Sequence, residues 1–175
     1  MSDLLVPRVS IREATIADCS AVAKVHVQSW KESFAGIVPQ IFLDKMSAEK
    51  RAKAFEAGFA APFYRMYVAE APRRGIVGFA DFGAPRETID AYDGELYAIY
   101  LLPEFHRKGV GERLFKRGVE FLKGHGSNSM YLLALEVSPY RAFYEKMGGQ
   151  LAGKKGVEIE GATYDELIYG WETLC

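Results

Sequence analysis

The chain has 175 residues, 49% of them hydrophobic and 26% charged, with a formal net charge of −1 at pH 7. This length is enough to bury a core and this composition excludes disorder, so we expect a single domain over residues 1–175. The net charge gives no general attraction to nucleic acid or to a membrane, and no apolar run approaches the ~18 to 20 residues that span a bilayer. The two cysteines, Cys19 and Cys175, form neither a metal motif nor a disulfide framework. This usage predicts no metal and suits a reducing cytoplasm.

The first half of the chain predicts one strand, several helices and a hairpin. Thr15 and Asp18 have the spacing of a capping box, and apolar residues recur at helical spacing from there to Phe34. Gly36 and Pro39 end that helix. The predicted elements are a strand over 9–12, helical stretches over 15–34, 41–45 and 47–59, and a hairpin of strands 63–70 and 76–82.

The second half predicts alternating strands and helices. A strand over 95–102 precedes a helix over 110–124, and the nearly continuous apolar run 130–137 fits a central strand buried on both faces. A short helix over 139–147 and two strands over 150–160 and 164–171 complete the chain. The unit 95–137 predicts a parallel crossover, and the order of elements indicates a mixed α/β fold.

Two glycines, Gly109 and Gly111, open the helix that follows the strand 95–102. The first turn of a helix leaves backbone N–H groups free, and glycines let an anion approach them. Arg107 and Lys108 add charged donors, so this loop favours a diphosphate. A Walker loop does not fit, because no G-K-[ST] string occurs. The dinucleotide fingerprint fits poorly, because Leu114 stands where it needs a third glycine.

Two motifs resemble the GCN5-related N-acetyltransferase (GNAT) superfamily. The first is the strand end L-L-P at residues 101–103, followed at residues 106–111 by H-R-K-G-V-G, which is similar to the family's Q/R-x-x-G-x-G/A loop. His106 departs from that pattern. The second is S-P-Y-R-A-F-Y-E-K-M-G-G over residues 138–149, where Ser138 replaces the common Asn. The N-terminal strings I-R-E-A-T-I-A-D, V-H-V-Q-S-W and G-I-V-P also resemble members, so the likeness covers nearly the whole chain.

The resemblance implies a GNAT-like acyl-CoA N-acyltransferase fold, with a central mixed sheet of about seven strands and about four helices. It implies an N-acetyltransferase that transfers the acetyl group of acetyl-CoA to a small-molecule primary amine by direct attack in a ternary complex. Alternatives are a peptide or protein N-terminal acetyltransferase and a non-catalytic acyl-CoA-binding regulatory module. A homodimer is a further expectation, because terminal strands offer an edge to cover.

The family's cofactor position maps onto the strand 95–102, the glycine loop and the start of the second motif. The residues expected to bind acetyl-CoA are Ile99, Tyr100, Leu101, His106, Arg107, Lys108, Gly109, Val110, Gly111, Glu112, Ser138 and Tyr144.

Acetyl transfer requires a neutral amine, yet a lysine-like amine with a pKa of ~10.4 is almost fully protonated at pH 7, so a base or a water chain must remove a proton. Tyr144 matches the family's general acid, which protonates the departing thiolate. Glu95 begins the cofactor strand and Glu136 ends the buried one, and these are the two candidate bases. Alternation predicts that Glu95, Tyr97 and Ile99 share one face.

Aromatic residues of the first helix, the hairpin and the strand 95–102 are candidates for the acceptor pocket, although each also suits a core. They are Trp30, Phe34, Tyr64, Tyr97 and Tyr100.

Overall fold

The computed structural model describes residues 8–175, so the first seven positions lie outside this account. One seven-stranded sheet runs through these residues in the order β1-β2-β3-β4-β5-β7-β6. Its strands are β1 (Ser10–Glu13), β2 (Tyr64–Ala71), β3 (Gly75–Gly83), β4 (Glu95–Leu101), β5 (Met130–Leu135), β6 (Gln150–Ile159) and β7 (Ala162–Trp171). Its helices are α1 (Cys19–Ser33), α2 (Gln40–Lys45), α3 (Ala48–Gly58), α4 (Val110–Gly124) and α5 (Arg141–Lys146). The mixed fold is confirmed, with five helices where about four were expected.

Local chemistry sets the helix boundaries in the first half. The Thr15 N–H donates to the Asp18 carboxylate at 2.8 Å, as the capping-box spacing predicts. Gly36 has a φ of +75°, a backbone conformation that is strained for a residue with a side chain. It lies just after α1 and prevents this helix from continuing. The Ser47 hydroxyl accepts from the Lys50 N–H at 3.2 Å and caps α3.

Helices cover both faces of the sheet. On one face α1 packs on β3 and β4, where His26 lies among Phe79 and Tyr100 at ring distances of 6.1 and 5.0 Å. On the other face α4 packs on β2, β3 and β4, and its Gly118 lies directly against the Phe82 ring. Because Phe79 and Phe82 point to opposite faces of β3, the two helix layers enclose the sheet between them.

The sheet is nearly divided between β4 and β5. These strands are parallel, as predicted, but a single register pair joins them, Glu95 with Tyr131. The Tyr131 N–H also donates to the Gly94 carbonyl at 3.1 Å, one residue before β4 begins. Beyond this end the two strands separate, so the middle of the sheet contains a gap.

One sequence prediction about β4 fails because the strand is irregular. The register with β3 shifts between Asp81 and Phe82, which leaves Tyr97 as an extra residue on β4. Tyr97 therefore stacks on Tyr64 and shares the Asp81 face. Ile99 lies opposite Ala80 and points to the other face, so the alternation that grouped it with Tyr97 is interrupted.

Candidate active site

A cavity of about 430 Å³ lies beside the β4 end, the glycine loop and α5. Its lining residues are Ile99, Tyr100, Leu101, His106, Arg107, Gly109, Gly111, Glu112, Pro139, Tyr140, Ala142, Phe143, Tyr144 and Lys146. The first helical turn of α4, with its free backbone N–H groups, faces this cavity through Gly111. The cavity therefore combines an apolar channel with an anion cradle, which suits a long thioester cofactor with a diphosphate.

The glycine loop is held in an unusual conformation. Arg107 has a φ of +57° and Gly109 a φ of +75°, both in the left-handed region. The His106 ring lies 2.7 Å from the Leu101 carbonyl through Nε2 and meets the Tyr140 ring edge-on at 5.4 Å. The histidine that departs from the family pattern thus anchors its own loop to the end of β4.

Most of the predicted cofactor residues come together here, and three do not. Lys108 is not a lining residue, and its ammonium lies 5.7 Å from the Phe105 ring centre. Val110 is buried in the core, 3% exposed. Ser138 lines the neighbouring cavity and accepts from the Tyr140 N–H at 3.2 Å, so its hydroxyl holds the turn before α5.

The sequence reasoning missed part of the cofactor cavity wall. Beyond Tyr144, the second motif contributes Pro139, Tyr140, Ala142, Phe143 and Lys146. Within the helix, position 146 follows positions 142 and 143 by four and three residues, so it lies on the same face as both. Applying helical spacing to the whole motif, rather than selecting Tyr144 alone, would have identified them.

A second cavity of about 340 Å³ lies against the first, with residues from α1, α2 and the sheet in its wall. Its lining residues are Trp30, Phe34, Phe42, Tyr97, Ala98, Ile99, Tyr100, Leu132, Leu133, Ala134, Leu135, Ser138, Tyr140, Tyr144, Val157, Glu158, Ile159 and Glu166. Four of the five aromatic acceptor candidates are among them. The fifth, Tyr64, is absent from the lining and instead donates to Asp81 at 3.0 Å.

The two cavities meet at the gap between β4 and β5. Ile99, Tyr100, Tyr140 and Tyr144 belong to the walls of both. The Tyr100 hydroxyl accepts from the Trp30 indole N–H at 2.9 Å, and the Tyr140 hydroxyl bonds the Ser33 hydroxyl. A group that enters from one face of the sheet can therefore reach a group that enters from the other.

Tyr144 is the one catalytic candidate that lies at this junction. Its side chain is 7% exposed, and burial together with the neighbouring tyrosines raises the pKa of its phenol well above the usual value. No group among residues 8–175 forms a hydrogen bond with its hydroxyl. A phenol that stays protonated and has no partner among these residues is free to donate a hydrogen bond to a ligand.

Glu95 and Glu136 line neither cavity. Glu95 is fully buried, and its carboxylate accepts from the Arg86 side chain at 2.6 and 3.1 Å, the Arg86 backbone N–H at 2.8 Å and the Tyr131 hydroxyl at 2.9 Å. Glu136 is exposed at the end of β5, where its carbonyl accepts from Arg141 at 3.3 Å. The structure thus places one candidate base in an internal ion pair and the other in solvent.

Residues 8–175 show neither a helix suited to cross a membrane nor a cluster suited to hold a metal ion. No helix in this part of the chain is long and apolar enough to cross a membrane. No group of three His, Cys, Asp or Glu side chains within it is arranged to hold a metal ion.

Comparisons with known sequences and structures agree on one family. The sequence model of the Acetyltransferase (GNAT) family matches residues 27–149. The uncharacterized N-acetyltransferase YuaI of Bacillus subtilis is 36% identical over 167 residues, which covers 95% of this chain and 94% of that protein.

Solved structures show the same fold. The PaiA N-acetyltransferase of Thermoplasma acidophilum, in complex with coenzyme A, has a TM-score of 0.65 and 24% identity, covering 91% of this chain and 97% of that one. The YncA acetyltransferase of Salmonella typhimurium, with acetyl-CoA, has a TM-score of 0.70 and 20% identity, covering 96% and 95%.

Proposed function

Because this chain belongs to the GNAT family of acetyltransferases, we propose that it transfers the acetyl group of acetyl-CoA to a primary amine of a small molecule. The observation that carries the proposal is the meeting of two cavities at the gap between β4 and β5, with Tyr144 in the wall of both. One cavity suits a thioester cofactor and the other an aromatic-walled acceptor. Direct attack in a ternary complex needs this arrangement, because both reactants must be bound at once.

The cofactor would be held mainly by backbone groups. The free N–H groups at the start of α4 face the diphosphate, and Arg107 supplies a charged side chain to it. The pantetheine arm would occupy the gap between β4 and β5, where strand N–H groups without a partner strand can donate to the thioester oxygen. Such donors stabilise the negative charge that develops on this oxygen in the transition state.

The chemical step then needs one proton removed and one supplied. The amine nitrogen attacks the thioester carbon, the N–C bond forms, and the C–S bond breaks as the thiolate of CoA departs. Tyr144 donates its phenolic proton to that sulfur. We propose that water in the acceptor cavity takes the proton from the amine, because the Glu95 carboxylate is occupied by four donors and Glu136 lies in solvent.

The enclosed aromatic wall favours a small acceptor over the two alternatives. A peptide N-terminus needs an open groove, whereas α2, the end of α1 and β6 surround the acceptor cavity on three sides. A non-catalytic acyl-CoA-binding module would have no use for an unpaired phenol at the junction of two cavities.

Thiol release from acetyl-CoA, followed with 5,5′-dithiobis(2-nitrobenzoate) across a panel of primary amines and peptides, tests the proposal. We expect amine-dependent release with small amines and none with peptides. Release with peptides alone would support the N-terminal acetyltransferase. Acetyl-CoA binding by calorimetry without release on any acceptor would support the non-catalytic module.

A further inference from the structure

The acceptor cavity carries charge of only one sign. Its lining residues, all within the described part of the chain, include the acidic Glu158 and Glu166 and no Lys, Arg or His. Apart from Ser138, the remaining wall is aliphatic or aromatic, with Trp30 and Phe34 stacked at a ring distance of 4.3 Å. Such a cavity attracts a cationic ligand and penalises an anionic one, because a carboxylate would be desolvated there without a partner.

Of the two acidic residues, Glu166 is the one whose side chain faces the cavity. On β7, alternate residues share a face, and Tyr164 points to the α1 side, where its hydroxyl donates to the Ile37 carbonyl at 3.3 Å. Glu166 therefore points the same way, and its side chain is 23% exposed. Glu158 is exposed and alternates with the inward-facing Val157 and Ile159 on β6, so its side chain points away.

Glu166 lies away from the point of acetyl transfer. It pairs with Leu135, at the far end of β5, whereas Tyr169 pairs with Leu132. The Tyr169 ring is 5.6 Å from the Tyr144 ring, so Tyr169 lies at the same position along the strands as the junction of the two cavities. Three residues along a strand correspond to about 10 Å. A cation bound at Glu166 would therefore be a different group from the amine beside Tyr144.

One internal cation competes for this carboxylate. The Lys155 ammonium is 3.7 Å from Glu166, but it forms a closer pair with Glu87. Lys155 is not a lining residue of the cavity, and at 3.7 Å it does not form a direct hydrogen bond with Glu166. The Glu166 carboxylate thus keeps acceptor positions for a ligand.

We propose that Glu166 binds a second cationic group of the acceptor, so that the preferred substrate is a diamine with an apolar body and no acid group. The alkyl chain would lie along the aromatic wall between Glu166 and the gap in the sheet. The inference rests on the proposed function and adds to it the class of amine and the residue that selects it.

Three probes of matched length test the proposal: 1,5-diaminopentane, pentylamine and 6-aminohexanoate. They carry a cationic, a neutral and an anionic end opposite the reacting amine. A partly buried charged hydrogen bond favours its ligand by about tenfold, so we expect kcat/KM at saturating acetyl-CoA to be about ten times higher for the diamine than for pentylamine. The acid should be the poorest of the three.

Variants assign the preference to Glu166. In Glu166→Gln the ratio of kcat/KM for the diamine to that for pentylamine should fall to near one. Asp165→Asn is the matched control, because it removes the same charge from the next residue, whose carboxylate bonds Lys154 at 3.0 Å outside the cavity. It should leave the ratio unchanged. Lys155→Met should raise the ratio, because it removes the competing cation.

Equal kcat/KM for the diamine and pentylamine in the wild type would overturn the inference while the proposed function stands. An unchanged ratio of kcat/KM for the diamine to that for pentylamine in Glu166→Gln would overturn it as well. So would an equal loss of kcat/KM for all three probes in this variant, because that would place Glu166 in the reaction itself. Absence of thiol release with every amine tested would instead overturn the proposed function, and the inference with it.

Discussion

The Glu95 carboxylate and the Arg86 guanidinium form a two-point ion pair at 2.6 and 3.1 Å, directly over the Tyr97 ring, whose centre is 4.4 Å from the guanidinium carbon. Glu95 also belongs to the single register pair between β4 and β5. The Glu95 carboxylate also accepts from the Tyr131 hydroxyl of β5 at 2.9 Å, so Glu95 links β4 to β5 at the one end where these strands still pair.

The Glu95→Gln variant should lose stability and keep the pH dependence of the wild-type reaction. An amide retains some hydrogen bonds but loses the ion pair, and since Arg86 can reach solvent we expect a loss of about 1–3 kcal/mol in the free energy of unfolding. Urea titration measures this loss, and a pH–rate profile tests the chemistry. A variant of unchanged stability that lacks the acidic limb would make Glu95 the base. Glu136→Gln, at an exposed site, is the control.

The Tyr144→Phe variant should lower kcat by about 10²-fold or more, because a positioned general acid contributes a factor of this size. The phenol forms no hydrogen bond with any group of residues 8–175, so its removal leaves none of these groups unpaired. KM for acetyl-CoA and the unfolding transition should therefore stay close to the wild type. Steady-state kinetics and thermal melts give these values. An unchanged kcat would remove Tyr144 from the mechanism.

Arg107 and Lys108 are adjacent and carry the same charge, yet the structure places their side chains differently. Arg107 lines the cofactor cavity, whereas Lys108 lies over Phe105. Loss of a charged contact to a diphosphate should raise KM for acetyl-CoA about tenfold in Arg107→Ala. Lys108→Ala should change it much less. Equal effects of both variants would show that only the total charge of the loop matters.

Gly118 and Gly124 lie in the same helix with opposite surroundings. A Cβ at Gly118 would lie 1.9 Å from the Phe82 ring, whereas one at Gly124 would meet nothing within 4 Å. Gly118→Ala should therefore destabilise the fold by about 1–3 kcal/mol through overpacking. Gly124→Ala should be neutral or stabilising by up to about 1 kcal/mol, because alanine favours helix. Chemical denaturation of both variants tests the contact between α4 and the sheet.

His26 and Asp81 should give opposite pH dependences of stability. Burial lowers the pKa of His26 to about 3 and raises the pKa of Asp81 to about 7. Between about pH 4 and 6.5, His26 is protonated only in the unfolded chain, so its contribution makes the free energy of unfolding rise with pH. In the same range Asp81 is protonated only in the folded chain, so its contribution makes the free energy of unfolding fall with pH. Each slope is about 1.4 kcal/mol per pH unit, and the two oppose each other.

The pH dependence that each group contributes should be measurable in a variant that lacks this group. His26→Phe keeps an aromatic ring among Phe55, Phe79 and Tyr100, and its stability relative to the wild type should fall as pH rises through this range. Asp81→Asn keeps an acceptor for the Tyr64 hydroxyl, and its relative stability should rise. Urea unfolding at several pH values gives both curves. Relative stabilities that do not change with pH would mean that neither group is shifted in the folded protein.

The sequence predicted the strands and helices well, because their signals are local. The nearly continuous apolar run over 130–137 indicated a doubly buried strand, and β5 is one. Ser47 and Gly36 marked helix ends by side-chain and backbone chemistry that acts within a few residues. The bulge at Tyr97 had no such signal, since it depends on the register with β3.

The candidate site was predicted less completely, for a similar reason. The glycine loop was found because its motif is contiguous. The ion-pair partner of Glu95 is Arg86, nine residues earlier in a loop, and no spacing rule connects the two. Glu166 enters the acceptor cavity only because β7 pairs with β5, a contact that local patterns do not encode.

A fold whose central gap is completed by its ligand depends on the supply of that ligand. With β4 and β5 joined at one end, bound acetyl-CoA would add contacts that the unfolded chain lacks, and a ligand at a hundred times its dissociation constant adds about 2.7 kcal/mol to stability. The resistance of the protein to unfolding would then depend on the concentration of acetyl-CoA.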